Sequence, residues 1–378
     1  MKAKIGNIAK NIDYPLLLLL TLLLCSGFVI LSSASAAASD RFGVSFLPRQ
    51  ITAAALGFVL LLGLQSMDLS KFQSFEKIAY LFINLLLLAV LVFGTEAKGA
   101  QRYLEFGPLR VQPVEPVKII FILCYAKHLA HKNKRLKTWW QLAPSLIYGA
   151  IPLIMIVAMP DLGSGLVFVA IIFGMLVAAG GSLFRLGFLF AGGIGGIVLW
   201  IYGHMNWDWW LPLENYQLMR LVVFLNPEYD PRGWGWNLIQ AQITVGSGGL
   251  WGQGWAQGTQ TASGYLPEQW TDFIFCVLGE EFGFVGCFVA LALYYSILIR
   301  CLMIAARSKD LFGGILISGV VSMFLFHVLQ NVGMVIGVMP ITGIPLPLVS
   351  YGRSALLSGM VAIGMALNVG VYRDATRY

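Results

Sequence analysis

The sequence predicts an all-α, polytopic membrane protein with about ten spanning helices, and three observations carry that expectation. Of 378 residues, 58% are hydrophobic and only 11% are charged, whereas soluble domains hold about 25% charged residues. The mean hydropathy is +0.77. The apolar residues are gathered into ten stretches divided by charged or Gly/Pro-rich segments, most of them close to the roughly 20 residues that cross a bilayer.

In chain order the stretches lie near 14–38, 50–67, 77–94, 114–130, 141–159, 162–179, 186–205, 271–301, 311–338 and 354–372. The first follows Lys2, Lys4 and Lys10 in the manner of a signal peptide, but from Tyr14 to Ala38 it outruns the short apolar core of a cleaved signal. It is expected to remain as a spanning helix. The fourth is short and carries Lys118. Only Pro160-Asp161 separates the fifth from the sixth, a tight turn whose Asp is suited to cap the next helix. The 42 glycines suit helices whose backbones approach closely. Cys25, Cys124, Cys276, Cys287 and Cys301 lie in or at the ends of apolar stretches without CxxC spacing, so they read as core residues. With no internal repeat and no soluble segment, residues 1–378 read as one membrane domain.

Basic residues set the orientation. With a cytoplasmic N-terminus, the inner loops take Lys71, Lys77, the cluster from Lys127 to Lys137, Arg185, Arg300, Arg307 and Lys309, and the tail adds Arg373 and Arg377. Ten crossings keep this pattern and return the C-terminus to the cytoplasm. The formal charge of +7 is explained by this distribution and does not call for nucleic acid. Four segments then face outward: 95–113, the Pro160-Asp161 turn, a large loop at about 206–270, and 339–353. The large loop holds Trp207, Trp209, Trp210, Trp234, Trp236, Trp251, Trp255 and Trp270. An interfacial Trp belt accounts for part of this set. It does not account for the run Val245 to Gly254, whose glycines permit tight turns and close approach to a ligand. The run lacks the Gly-Lys-Ser/Thr ending of a phosphate loop, so ATP-driven transport has no support.

Asp272 is the most informative residue. It stands where the large polar loop enters an apolar helix, with Glu280 and Glu281 about two turns on, and a carboxylate at a membrane boundary costs energy and calls for a function. Glu280 and Glu281 are about 100° apart on a helix, so at most one should share a cavity with Asp272. Glu115 and Lys118 share a helix face at i,i+3 and are expected to pair. His204 and His327 are isolated and read as structural. No His, Cys or carboxylate set has convincing metal-ligand spacing, although carboxylates together with a substrate diphosphate could hold a hard cation.

The chain resembles the SEDS family of bacterial cell-wall polymerases. Four blocks carry the resemblance: Gly99-Ala-Gln-Arg-Tyr103 leading to Gln112-Pro-Val-Glu-Pro-Val-Lys118, Pro160-Asp-Leu-Gly163, the stretch from Arg220 to Gly286, and Met339 to Gly352. Gly258-Thr-Gln260 before Leu266-Pro-Glu268 is similar to the elongation branch rather than the division branch. Four positions depart from the family pattern: Tyr103 in place of Trp, Val114 in place of Ser, Trp270 in place of His, and Arg353 where a second Gly is common.

The resemblance implies polymerisation of lipid II, an undecaprenyl-diphosphate-linked disaccharide pentapeptide, on the outer face of the bacterial inner membrane. It implies Asp272 as the catalytic residue, with Arg102, Glu115, Lys118, Asp161, Arg220, Glu268, Glu281 and Ser350 as candidate substrate-binding residues. It also implies a class B penicillin-binding protein as partner, alongside other proteins of the elongation complex. The chemistry fits the residues. A sugar diphosphate brings its own leaving group, so one base for the acceptor 4-hydroxyl suffices, with cationic help for the diphosphate from Arg102, Lys118, Arg220 or a divalent cation such as magnesium or manganese. Two rival readings remain. A flippase for lipid II needs polar groups through the full depth of the membrane, whereas here the acids and the Gly/Trp-rich segments gather at one face. A scaffold without activity gains nothing from the outer loop.

Overall fold

The computed structural model describes residues 11–372 except 37, 38, 40–42, 44, 98, 99, 107, 108, 133–135, 208 and 210–214. Ten of its helices fall on the ten expected stretches: α1 Tyr14–Ala34, α2 Phe46–Leu64, α3 Glu76–Phe93, α4 Val114–His131, α5 Trp139–Ala158, α6 Leu162–Ala178, α7 Leu183–Trp207, α11 Ile274–Ala306, α12 Leu311–Val335 and α13 Arg353–Tyr372. Eight of these are long and apolar enough to cross a membrane. The other two are α4, which carries Glu115, Lys118 and Lys127, and α6, which has 17 residues. Both hold inner positions, α4 against α3 and α12, α6 against α5 and α12. Helix α4, which carries the charges, therefore sits where its polar groups meet protein instead of lipid, while α6 is apolar and only short.

Helix α12 is the hub, packing on α4, α6, α11 and α13. Small residues make this close approach feasible: a Cβ on Gly174 of α6 would fall 1.8 Å from Ser322 Oγ on α12. Helix α13 lies along α2, and Asn368 Nδ2 donates to Leu64 O and Met67 O at 2.7 and 2.8 Å. Those bonds tie the end of α2 to α13, adding to the one that Leu64 O already accepts from Met67 N at 3.1 Å.

The outer segments are more ordered than loops. Residues 95–113 form three short antiparallel strands, β1 Thr95–Ala97, β2 Ala100–Phe106 and β3 Leu109–Val111. The stretch 206–270 contains α8 Asn215–Leu225, α9 Trp234–Ser247 and α10 Thr259–Ser263. Hydropathy shows that these segments leave the membrane, but their pairing depends on tertiary contacts that hydropathy does not encode.

The expectation of one continuous helix carrying Asp272, Glu280 and Glu281 is overturned. Asp272 lies before α11 begins, and α11 breaks at Gly283, where φ is 65° and ψ is −163°. A break in a membrane helix frees backbone groups that must find partners. The Gly-rich run supplies them. Gln253 N and Gly254 N donate to Glu280 O and Glu281 O at 2.9 and 3.0 Å, and Phe284 N and Val285 N donate to Gly249 O and Leu250 O at 2.9 and 3.1 Å. A Cβ at Gly252 would fall 2.1 Å from Glu281 O. The close approach that the glycines permit is thus to the protein's own backbone, not to a ligand. At Gly283, replacement by Ala would combine a left-handed φ with a Cβ 2.4 Å from Gly252 N. Gly283→Ala is expected to cost about 2 kcal/mol or more of stability, read as a lower unfolding midpoint in detergent. An unchanged midpoint would mean that the break is not needed.

Candidate active site

The turn carrying Asp272 is built from backbone bonds. Glu268 takes a left-handed conformation, φ 54°, which is uncommon outside glycine and concentrated at functional sites. The turn lets its carbonyl accept from Thr271 N, Asp272 N and Phe273 N at 3.1, 3.2 and 3.4 Å. Thr271 Oγ1 adds a bond to Glu268 Oε2 at 3.1 Å, and Gln269 Nε2 ties the turn to α1 through Ala34 O at 2.9 Å.

The 339–353 segment locks onto this turn. Ser350 Oγ donates to Thr271 O at 2.6 Å and accepts from Leu346 N at 2.8 Å, while Tyr351 N donates to Trp270 O at 2.9 Å. Asn331 of α12, fully buried, donates from Nδ2 to both Asp272 O and Ile344 O at 2.8 Å. Gln50 of α2 holds the far end, donating to Ser350 O at 2.9 Å and accepting from Gly352 N at 3.2 Å. A Cβ on Gly343 (φ +70°) would stand 3.3 Å from Asp272 Oδ2, so this backbone runs beside the carboxylate.

All four outer segments meet at one cavity of about 420 Å³. Tyr103 and Gln112 come from the first segment, Asp161 from the second, Glu268, Trp270 and Asp272 from the third, and Gly343 to Gly352 from the fourth. Asp272 is half-buried. The inner end holds Glu115, Lys118, Asp161 and His327, all buried. Lys118 Nζ bonds to Glu115 Oε1 at 2.8 Å and lies 3.3 Å from His327 Nε2. His327 Nδ1–H donates to Met323 O at 2.7 Å in the tautomer that presents the Nε2 lone pair to the ammonium. Asp161 caps α6, accepting from Ser164 N and Ser164 Oγ at 3.3 and 2.8 Å. Tyr216 and Gln217 of α8 donate to Pro160 O at 2.5 and 3.0 Å, so α8 holds the Pro160-Asp161 turn in place.

The structure does not bring every candidate to this cavity. Arg102 belongs to β2, but its side chain lies outside the described residues. Arg220 lies over the Tyr216 ring, 5.3 Å from its centroid, in a separate niche with Phe224, Trp234 and Ile341. Ser350 is buried and committed to the frame, so its hydroxyl positions the Asp272 turn. Neither Glu280 nor Glu281 lines the cavity. Glu280 accepts from Gln260 N, Thr261 N and Thr261 Oγ1, which anchors the start of α10. Glu281 accepts from Ser33 Oγ of α1. His204 serves the loop, with Nδ1 2.6 Å from Trp209 O. Two lining residues escaped sequence reasoning. His327 sits alone in an apolar helix and shows no local signal. Arg353 could have been found, because it places a charge in a motif where the resembled family commonly has glycine.

Fold and cavity together define a polytopic membrane protein with an acid-rich chamber at one face. Residues 14–375 match the FtsW/RodA/SpoVE family model, described as cell cycle protein. The peptidoglycan glycosyltransferase MrdB of Escherichia coli K12 is 36% identical over 358 residues, covering 95% of this chain and 93% of that one. The peptidoglycan glycosyltransferase RodA of Treponema pallidum is 32% identical, covering 94% and 97%. Among solved structures, a chain from a peptidoglycan synthase complex that coordinates polymerisation and crosslinking superposes with a TM-score of 0.79 at 30% identity, covering 96% of this chain and 98% of that one. The Thermus thermophilus rod shape determining protein RodA gives 0.70 at 27%, with the same coverage. The chain belongs to the FtsW/RodA/SpoVE family.

The buried ion pair is directly testable. Glu115→Gln or Lys118→Met leaves one buried charge unpaired, which typically costs about 3–5 kcal/mol. Each single variant should lower the unfolding midpoint in detergent, and the exchange Glu115→Lys with Lys118→Glu should lose less than either. Strictly additive losses would show that the two groups are not coupled.

Proposed function

We propose that this chain is a peptidoglycan glycosyltransferase of cell elongation that polymerises lipid II at the outer face of the bacterial cytoplasmic membrane. The observation that carries this reading is a half-buried Asp272 in a cavity built by all four outer segments, within a chain 36% identical to a peptidoglycan glycosyltransferase across 95% of its length. Asp272 acts as general base. The acceptor 4-hydroxyl oxygen bonds to the donor's anomeric carbon, and the hydroxyl proton passes to the Asp272 carboxylate. The bond from that carbon to the diphosphate oxygen breaks, with its electron pair leaving on undecaprenyl diphosphate. One positioned base contributes about 10²–10⁴-fold; the remainder comes from orientation and from cations facing the leaving diphosphate.

The polar lining gathers at the end of the bundle that the basic-residue pattern assigns to the outside, which favours surface chemistry over passage through the membrane. Among the described residues, no three His, Cys, Asp or Glu side chains converge as a metal cage. A magnesium or manganese ion would therefore sit on Asp272 or Glu268 with diphosphate oxygens completing its shell, since one or two carboxylates suffice beside substrate phosphates. The partner we propose is a class B penicillin-binding protein, in keeping with the synthase complex to which the fold is similar.

Purified wild-type protein, supplied with lipid II, the cognate transpeptidase and magnesium or manganese, is expected to produce glycan ladders. Asp272→Asn and Asp272→Ala should produce none while keeping the wild-type unfolding midpoint and transpeptidase binding. Wild-type ladders from either variant would remove Asp272 from the mechanism. No ladders from wild type, together with lipid II movement across vesicles, would favour the flippase reading. Removal of the divalent ion with EDTA should slow polymerisation by about tenfold or more if the ion screens the diphosphate; an unchanged rate would leave that work to side chains.

A further inference from the structure

The cavity lining holds more acid than base. Asp272, Glu268, Asp161 and Glu115 supply carboxylates, and Lys118 and Arg353 are the bases among the described lining residues. A site for a diphosphate needs available positive charge, and the two bases differ sharply in what they can offer. Lys118 is buried, with Glu115 at 2.8 Å and His327 at 3.3 Å, so its charge is already balanced at the inner end. Arg353 is exposed, and among the described residues its side chain forms no ion pair or hydrogen bond.

Arg353 is also held in a defined place relative to the base. Its predecessor Gly352 donates to the buried Gln50 at 3.2 Å, and Tyr351 N bonds to Trp270 O at 2.9 Å, two residues before Asp272. The proposed base and the guanidinium therefore stand on one hydrogen-bonded frame around one cavity. An arginine fork matches phosphate oxygens in bidentate fashion. Arg353 begins the 20-residue helix α13, whose N-terminal end further favours an anion.

We propose that Arg353 is the diphosphate-binding residue at the outer end of this cavity, taking the polyprenyl diphosphate both as the activated group of the donor and as the released product. The proposal rests on the polymerase reading and deepens it. Lys118 then holds the inner end of the cavity together, and Arg353 meets the anion. Because charge on the diphosphate grows as the glycosyl bond breaks, the same contact strengthens toward the transition state.

The test is direct binding of undecaprenyl diphosphate to the full-length protein in detergent, with undecaprenyl monophosphate and inorganic pyrophosphate as comparison probes. Arg353→Gln should weaken undecaprenyl diphosphate binding by about tenfold or more, and Arg353→Lys should recover part of that loss. Monophosphate binding should fall less. Pyrophosphate alone should bind more weakly than the lipid form, yet show the same dependence on Arg353. An unchanged unfolding midpoint in Arg353→Gln would show that folding is intact. Wild-type affinity and polymerisation rate in Arg353→Gln, with Asp272→Ala inactive, would overturn the assignment and leave the polymerase reading standing. Absence of both binding and polymerisation in the wild type would overturn both.

Discussion

The site depends on one fully buried amide. Asn331 offers its two Nδ2 protons to Asp272 O and Ile344 O, joining two outer segments that the sequence places far apart. In a bilayer-embedded interior an unpaired carbonyl has no water to turn to. The amide therefore fixes where the Asp272 turn meets the 339–353 segment, and Ser350 and Gln50 extend the same frame to α2. Asn331 sits on α12, which packs on α4, α6, α11 and α13, so the turn at Asp272 inherits the position of these packed helices.

A second constraint is charge. Glu115, Lys118 and His327 bring ionisable groups to the inner end of a cavity inside an apolar bundle, where charges are tolerated only when paired. Lys118 and Glu115 come from one helical turn, so the pair is settled within α4 before any long-range packing. His327 reaches it from α12. The arrangement balances Lys118 with Glu115 at the cavity floor and, among the described lining residues, leaves Glu268, Asp272 and Arg353 toward the rim.

The ten long helices were legible because hydropathy acts residue by residue, and the errors at their ends span only a few positions. Within the candidate site, Asp272, Glu115, Lys118, Asp161 and Glu268 were legible as a group, since polar residues at helix ends on one face have few other reasons to occur. Glu281, Ser350 and Arg220, candidates from the resemblance, are engaged elsewhere, each for a nameable reason, and Glu280 pairs with backbone as expected of one of the two glutamates. Helix α11 begins only after Asp272, and its first turns aim both glutamates at other partners: Glu281 accepts from Ser33 of α1, and Glu280 caps a short helix some twenty positions upstream. Ser350 spends its hydroxyl on Thr271 O. Arg220 faces a niche one turn away from the residues of α8 that hold the Pro160-Asp161 turn. Such pairings form between segments distant in sequence, and no local pattern announces them.

The frame around Asp272 also says when the site comes into being. Gln50 reaches Ser350 across 300 positions and Gly352 across 302, while Gln269 reaches Ala34 across 235. A chain made from its N-terminus inserts its early helices long before the last of these partners exists. Contacts of such separation close late, because the intervening chain must be ordered first. A half-made chain thus carries Lys118 and Asp161 but no chamber. Competence arrives in one step with the final helix, so that a protein stalled during insertion is inert.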